Sequence, residues 1–203
     1  TSGKCPTINS DGTVNVTKAE ATDGYVCSAA DAYGTSYYYR GNVTNNYVKY
    51  AGFYWRIIRI NGDGTIRMIY GGTKAHENGA ASDDSQIGTS AFNNNSDDNA
   101  YVGYMYGKAG ASTYAETHAN INNSTIKTYI DTWYENNIKG TTNEKYIVDN
   151  IFCNDRSFSS SNSGTGTGKS YTKYNWAYWH PSKTSLKCPQ QNDAFTVSDT
   201  IYG

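Results

Sequence analysis

The sequence predicts an α+β fold that is mainly antiparallel sheet, with long loops and one main amphipathic helix near residues 124–138. Two observations support this class. Aromatic and β-branched residues are concentrated between Tyr37 and Tyr70, which favours strands, while apolar residues recur at helical spacing only in the segment before Gly140. Much of the remaining chain is rich in Gly, Asn, Ser and Thr, which favours loops.

The first 30 residues predict a small hairpin unit. Thr7-Ile8 and Val14-Asn15-Val16 flank a turn that carries Asp11-Gly12, a dipeptide that accepts positive φ. A disulfide from Cys5 to Cys27 would close this unit. We therefore expect residues 1–30 to form a disulfide-closed N-terminal unit and residues 31–203 to form the main domain.

The segments "SYYYRG", "NYVKYAGFYWRIIRI" and "TIRMIYGG" predict an antiparallel meander, with "NGDG" as the last turn. Along the strand "FYWRIIRI", alternation divides the side chains between two faces of the sheet. One face would carry Phe53, Trp55, Ile57 and Arg59, and the other Tyr54, Arg56, Ile58 and Ile60. Because both faces hold large apolar groups, we expect this strand to be central and covered on both sides.

The segment "NSTIKTYIDTWYENNIKG" predicts the helix. Its apolar residues at helical spacing are Ile126, Ile130, Trp133 and Ile138, with Tyr134 alongside. Asn123 or Ser124 can cap the start and Gly140 the end.

Composition indicates an extracellular protein. Only 17% of the 203 residues are charged, whereas Tyr and Gly each number 20, so neutral polar groups and phenols form most of the surface. The net charge of −1 and the lack of Lys or Arg runs argue against nucleic-acid binding. No apolar run approaches the roughly 20 residues of a membrane span, so membrane association would need an anchor absent from this chain. Since the chain begins at Thr1 without a signal peptide, we expect a processed part of a longer product.

The four cysteines favour two disulfides. Three pairings are possible, and we expect the local one, Cys5–Cys27 with Cys153–Cys188. The alternative is a zinc site, but the chain has no Cys-x-x-Cys and no Cys/His ligand spacing.

The stretch "SGTGTGKS" (residues 163–170) is close to a phosphate-binding P-loop. Ser163 stands where the motif needs its first Gly, and neither a buried strand before it nor a helix pattern after it is present. We therefore interpret it as a loop and expect no nucleotide binding.

Few residues suggest catalysis or metal binding. The histidines His76, His118 and His180 lie outside any nucleophile-elbow or metalloprotease motif, and we predict no catalytic residue, cofactor or metal. The paired carboxylates Asp83-Asp84 and Asp97-Asp98 are adjacent in loops and do not predict a glycosidase pair. "NNNSDDN" (residues 93–99) offers oxygen ligands for calcium, but it lacks the Gly and terminal Glu of an EF-hand loop and also suits a solvated turn.

The segment "YTKYNWAYWH" supplies the candidate binding residues. Strand alternation would place Tyr174, Trp176 and Tyr178 on one face, with Trp179 and His180 at the end. Such rings beside Asn and Lys suit stacking on sugars or binding of peptides. The alternative is that these rings cover the core.

Several long phrases, among them "YYYRGNVTNNYVKYAGFYWRIIRINGDGTIRMIY", "THANINNSTIKTYIDTWYENNI", "IFCNDRS" and "CPQQNDAFTVSDT", resemble extracellular surface proteins of gut-dwelling bacteria. The resemblance covers nearly the whole chain from Gly34. It implies a secreted or tethered protein, sometimes with a pilin-like anchor. It also implies an α+β module similar to C-type-lectin-like and formylglycine-enzyme-like modules, which usually continues beyond the last phrase. It also implies that Cys153 pairs with Cys188.

These observations favour a non-enzymatic module at the bacterial surface that binds a glycan or another host-surface ligand. The first alternative is a structural subunit of a filament, pilus or coat that works by self-association. The second is a secreted hydrolase, for which His118 and His180 would be the candidates.

Overall fold

The fold is α+β with mostly antiparallel sheets, as the sequence predicts. The computed structural model describes residues 5–11, 13–15, 22–76, 80–95, 98–154, 186 and 194–195. These residues cluster into two compact units, the first with the residues up to Thr89 and residue 186, and the second with the others. The strands are β1 (Thr7–Ile8), β2 (Val14–Asn15), β3 (Gly24–Ala30), β4 (Thr35–Gly41), β5 (Tyr47–Tyr50), β6 (Phe53–Ile60), β7 (Ile66–Gly72), β8 (Met105–Tyr106), β9 (Asn122–Asn123), β10 (Phe152–Cys153) and β11 (Ala194–Phe195). The α-helices within these ranges are α1 (Tyr114–Thr117) and α2 (Thr125–Asn137).

The predicted N-terminal hairpin is confirmed, because β1 pairs with β2 in antiparallel register. Its turn and the β6–β7 turn share the pattern Asn-x-Asp-Gly-Thr and the same hydrogen bonds. Asn9 donates its amide N–H to the carbonyl of Thr13 over 2.8 Å, and Asp11 accepts from both the amide and the hydroxyl of Thr13. Asn61, Asp63 and Thr65 repeat these bonds in the second turn. A short sequence pattern therefore fixes two separate hairpins.

The first unit is built on a five-stranded antiparallel sheet. β3 pairs with β4 over seven residues, and β4 pairs with the end of β6 through Tyr37–Ile60 and Tyr38–Arg59. β5 pairs with the start of β6, while β7 lies along the opposite edge of β6. The prediction that β6 is the central strand is therefore confirmed.

Strict alternation along β6 was a wrong expectation. The register with β7 shifts between Ile57 and Arg59, so that Ile58 has no partner on β7. Arg56 pairs with Ile69 and Arg59 with Arg67, and β7 alternates regularly here, so Arg56 and Arg59 share a face. By the same reasoning Ile60 lies with Ile57 and Trp55. The shift exchanges the predicted faces of Arg59 and Ile60.

The expectation that β6 is covered on both sides is also wrong. Ile58 and Ile60 are 45% and 39% exposed. Ile60 pairs with Tyr37 on one side and with Ile66 on the other, and both partners are 50% exposed. We call these three residues the apolar row. One end of this sheet face is thus open to solvent, so the strand is not covered along its whole length.

Asp31 ties the β3–β4 turn to the β6–β7 turn. Its side chain is buried and accepts from the amides of Tyr33 and Gly34 and from the hydroxyl of Ser36. It also accepts from the amide of Gly62 over 3.0 Å. Burial alone would raise the pKa of Asp31, but these hydrogen bonds to the charged form outweigh it and lower the pKa to about 2.

The second unit contains both α-helices and the short ladders β8–β9 and β10–β11. The main helix is close to its predicted bounds of 124–138. Ser124 caps it, since its hydroxyl accepts from the amide of Lys127 over 3.1 Å, and Gly140 follows with φ +75°. Buried apolar residues in the two units include Tyr25, Cys27 and Val43 in the first and Ala100, Ile138 and Ile151 in the second.

The disulfide between Cys5 and Cys27 is confirmed. It joins the N-terminal segment to β3, the strand that pairs along its whole length with β4. Cys153 is also disulfide-bonded, while its expected partner Cys188 lies outside the described residues. The boundary near residue 30 stays a prediction, as does the lectin-like character of the module.

Candidate functional site

The second unit holds an open groove of about 650 Å3 along one side of α2, which we call the α2 groove. Its helical side chains recur every three or four residues and therefore form one stripe. The stripe consists of Thr125, Thr128, Tyr129, Thr132, Trp133, Asn136 and Asn137. Ser90, Asn94 and Asn123 complete the lining. None of these ten residues is acidic or basic, so the groove is polar and aromatic without formal charge.

The non-helical wall of the groove is fixed to the start of the helix. The amide of Ile126 donates to the carbonyl of Phe92 over 3.1 Å, and the hydroxyl of Thr125 donates to the side-chain oxygen of Asn94 over 3.0 Å. The amide of Ser124 donates to the carbonyl of Tyr104, which anchors the residue before the helix. The two sides of the groove are therefore held together at its N-terminal end.

The charged residues in and just after α2 form the row 127, 131, 135 and 139, and none of them lines the groove. Lys127 pairs with Asp131 over 2.8 Å, and Lys139 pairs with Glu135 over 3.0 Å. In each pair the two residues are four positions apart, and such exposed pairs contribute only a little to the stability of a helix. Since each cation has its anion in the same row, little net charge is directed toward the groove.

The threonine hydroxyls of the stripe present acceptors. Thr128 donates its hydroxyl hydrogen to the carbonyl of Ser124 over 3.1 Å, and Thr132 donates to the carbonyl of Thr128 over 2.9 Å. Each hydroxyl has one hydrogen, so these bonds leave the oxygen lone pairs to accept from a ligand. The side-chain amide of Asn137 donates to the carbonyl of Trp133 over 2.7 Å. The exposed amide of Asn136, one turn beyond Thr132, offers both donors and an acceptor.

Two aromatic side chains stand one turn apart in the same stripe. Tyr129 is 38% exposed and Trp133 is half-buried. Rings of this kind give large contact areas at low entropic cost. The groove thus combines stacking surfaces with neutral hydrogen-bonding groups, which suits an uncharged ligand rich in hydroxyl groups.

The sequence prediction placed binding elsewhere. Tyr174, Trp176, Tyr178 and Trp179 lie outside the described residues, and their role stays a prediction. The same holds for the loop at 163–170 and for His180. In α2 the sequence predicts an apolar stripe that includes Ile126, Ile130 and Trp133. The Thr, Tyr and Asn side chains that line the groove beside Trp133 were not predicted as binding residues. Their signal was available as uncharged polar and aromatic residues at positions 125, 129, 132 and 136.

The two histidines that the structure describes, His76 and His118, take part in packing and in hydrogen bonds within the fold. His118 is fully buried and stacks on Tyr114 with ring centroids 4.4 Å apart. The Nε2 atom of His76 lies 2.8 Å from Asp84 and 3.0 Å from the hydroxyl of Ser82. A Ser-His-Asp triad places its serine and its acid on opposite ring nitrogens. Here the Ser82 hydroxyl lies closer to Nε2, which Asp84 also contacts, than to Nδ1, from which it is 3.4 Å away.

The same cluster closes a turn. Ser82 precedes the 3-10 turn Asp83–Ser85 in a capping box, and its hydroxyl also donates to the carboxylate of Asp84. The hydrogen bonds from Ser82 hold the pKa of Asp84 far below its usual range despite some opposing desolvation, and the amide and hydroxyl of Thr73 add to the effect. This carboxylate therefore acts as a charged acceptor that joins Thr73, the residue after β7, to the turn.

The segment considered for calcium contributes mainly caps. Asp98 accepts from the amide of Ala100 over 2.9 Å and begins a 3-10 turn, and Asn93 donates to the carbonyl of Tyr101 over 3.0 Å. These residues border a second cavity of about 410 Å3. Among the described residues no group of three or more His, Cys, Asp or Glu side chains could hold a metal ion.

One sheet face of the first unit carries arginines. Arg59 and Arg67 are paired across strands and both donate from Nε to the side-chain oxygen of the buried Asn61, over 2.7 and 3.2 Å. Burial lowers the pKa of both guanidiniums, and the charge of Arg59 lowers that of Arg67 further, while Asp31 and Asp63 oppose these effects. The two carboxylates offset the two cations, so this cluster is a structural network.

Within the described part of the chain, no helix has both the length and the apolar character required to cross a membrane. Comparisons of the chain with protein-family models, with curated proteins and with solved structures found no match.

Proposed function

We propose that the protein is a non-enzymatic, extracellular module of the bacterial surface that binds a glycan, on a host or a neighbouring cell, through the α2 groove. The observation that carries the proposal is a charge-free groove in which two aromatic rings alternate with hydroxyl and amide groups along one helix. Sugars present both apolar ring faces and many hydroxyls, so they match this combination better than an ionic ligand does.

Two further features support an extracellular role. The Cys5–Cys27 disulfide is of the kind that persists in oxidising surroundings. The low charged fraction, 17% of residues, is compensated by neutral polar groups. The bacterial source and the surface location rest on the resemblance described above and belong to the proposal.

A glycan array probed with the intact, non-reduced protein tests the function. We expect binding to a set of related glycans, with the signal lost in Tyr129→Ala and in Trp133→Ala. Lys139→Ala, which changes an exposed residue of the charged row, serves as the matched control and should bind as the native protein does. Circular dichroism would show that each variant keeps its helix. A blank array, or binding that survives both aromatic substitutions in folded protein, would contradict the proposal.

A second candidate function is self-association as a subunit of a filament or coat. The observation that favours it is the apolar row, in which exposed Tyr37, Ile60 and Ile66 lie side by side across three strands. Exposed apolar rows on sheets are typical of protein contacts.

Sedimentation velocity over a wide concentration range tests this candidate. If the row drives assembly, Ile60→Thr and Ile66→Thr should each reduce association. The matched control is Ile69→Thr, because Ile69 is 56% exposed but lies on the opposite face. A native protein that stays monomeric at the highest concentration would exclude this candidate.

A further inference from the structure

We infer that the α2 groove takes a linear, uncharged oligosaccharide of about three or four sugar units that lies along the helix axis. This inference rests on the proposed function and specifies its ligand. It follows from the length of the stripe, its hydrogen-bonding polarity, the spacing of its rings and its lack of charge.

The length follows from helix geometry. The stripe extends from Thr125 to Asn137, which corresponds to about 18 Å along the helix, or slightly more than three turns. One turn rises about 5.4 Å, close to the length of one pyranose unit in an extended chain. A linear oligosaccharide can therefore place successive sugars against successive turns.

The hydrogen-bonding groups of the stripe favour a ligand whose hydroxyl groups donate hydrogen bonds. The oxygens of Thr128 and Thr132, one turn apart, have already donated their hydrogens to backbone carbonyls and can only accept. At the next turn Asn136 adds an amide that can donate as well as accept. A repeating polyol supplies a donor at every unit, whereas the backbone of a peptide alternates N–H groups with carbonyls that would find no donor at the two threonines.

The aromatic rings follow the same repeat. Tyr129 and Trp133 are four residues apart and therefore lie about one turn from each other on the same side of the helix. Each can cover the apolar face of one sugar, so that two neighbouring units would be stacked while the others are hydrogen-bonded. This arrangement predicts that a single sugar uses only part of the groove.

The charges in and around the groove predict that acidic oligosaccharides bind more weakly than neutral ones. No lining residue is a cation, and Lys127 within the helix and Lys139 just after it are already paired with carboxylates. A carboxylate or sulfate group on the ligand would lose water without gaining a partner, which is costly. Asn123 also donates to Asp131 over 3.4 Å, so the anion of the Lys127–Asp131 pair lies beside the N-terminal end of the groove.

Calorimetric titration of the intact protein with defined oligosaccharides tests this inference. The probes are neutral cello-, manno-, xylo- and malto-oligosaccharides of increasing length, and oligogalacturonides as the acidic counterpart. For at least one neutral series we expect affinity to rise about tenfold from the disaccharide to the tri- or tetrasaccharide and then to level off. The acidic series should bind at least about tenfold more weakly.

Two variants test the assignment of the groove. Asn136→Asp is almost isosteric and replaces donors with a negative charge, so neutral ligands should bind about tenfold more weakly. Glu135→Gln, in the charged row, should leave binding unchanged. Binding that is already complete with a monosaccharide, or that favours the acidic series, would overturn this inference alone. Failure of every series would overturn both the inference and the proposed function.

Discussion

The carboxylate of Asp31 accepts a hydrogen bond of 3.0 Å from the amide of Gly62, 31 positions further along the chain. Asp31 lies in the turn after β3 and Gly62 in the turn after β6, so a single buried side chain joins two hairpins of the sheet. Charge-assisted bonds of this kind are stronger than neutral ones. The contact sets how closely the two turns approach each other.

Asp31→Asn should lower the free energy of unfolding by about 2–3 kcal/mol, because a neutral amide cannot accept from four donors as a carboxylate does. Asp63→Asn is the matched control, since Asp63 is exposed and its carboxylate accepts from Thr65 within its own turn. Denaturant titration of both variants measures the difference. Equal losses would contradict the bridging role of Asp31.

The contribution of Asp31 should depend on pH. Its pKa is lowered to about 2 in the folded protein from its usual value of 3.8, so folding is favoured by deprotonation. This stabilisation, about 2 kcal/mol, is complete above the unfolded pKa and is lost as the pH falls from about 4 to about 2. The difference in stability between the native protein and Asp31→Asn should shrink over that range. A difference that stayed constant would show that ionisation of Asp31 does not contribute.

Gly62→Ala should lower the free energy of unfolding by about 1–3 kcal/mol, because a Cβ at this position would lie 2.5 Å from the amide nitrogen of Gly34. Gly64→Ala isolates the conformational cost. Gly64 has φ +84° but no heavy atom near its Cβ position, so its loss should be about 1 kcal/mol. Thermal unfolding of the two variants separates steric crowding from backbone strain. If Gly64→Ala were the more damaging change, the close packing of the two turns would be wrong.

Ala51→Gly should stabilise the protein by about 0.5–1 kcal/mol. Ala51 is the described non-glycine residue with positive φ, at +51°, in the tight turn between β5 and β6. The relief of strain exceeds the added entropy of the unfolded chain. Ala115→Gly, within α1, is the control and should destabilise. A lower melting temperature for Ala51→Gly would count against the turn geometry.

Removal of the first disulfide should cost about 3 kcal/mol, because Cys5 and Cys27 close a loop with a sequence separation of 22. The double variant Cys5→Ala, Cys27→Ala should unfold at lower denaturant concentration and should be cleaved faster by protease before residue 24. Unchanged stability would mean that the N-terminal segment contributes little to the fold.

Local signals account for the elements that could be predicted. The Asp-Gly turn, the capped helix α2 and the run of aromatic and β-branched residues each depend on neighbours in sequence, and all three are present in the structure. The faces of β6 were predicted wrongly because one unpaired residue, Ile58, shifts the alternation. The residues around Ile58 do not indicate such a register shift, because the shift depends on the pairing with β7.

The contacts that define the site are non-local and were not predictable in the same way. Nothing near Asp31 in the sequence indicates Gly62, and nothing in "NNN" indicates that Asn94 lies across from Thr125. The polar stripe of α2 was visible in principle. The apolar spacing that predicts the helix does not by itself indicate burial, since Ile130 is 37% exposed.

The most direct test of the glycan-binding groove is a nuclear magnetic resonance titration of the isotope-labelled protein with a neutral tetrasaccharide from the best-binding series. The account predicts that shifted amide signals are concentrated at residues 123–137 and at Ser90 and Asn94, and that the indole signal of Trp133 moves with them. Shifts confined to other parts of the chain, with those of α2 unchanged, would show that the groove is not the binding site.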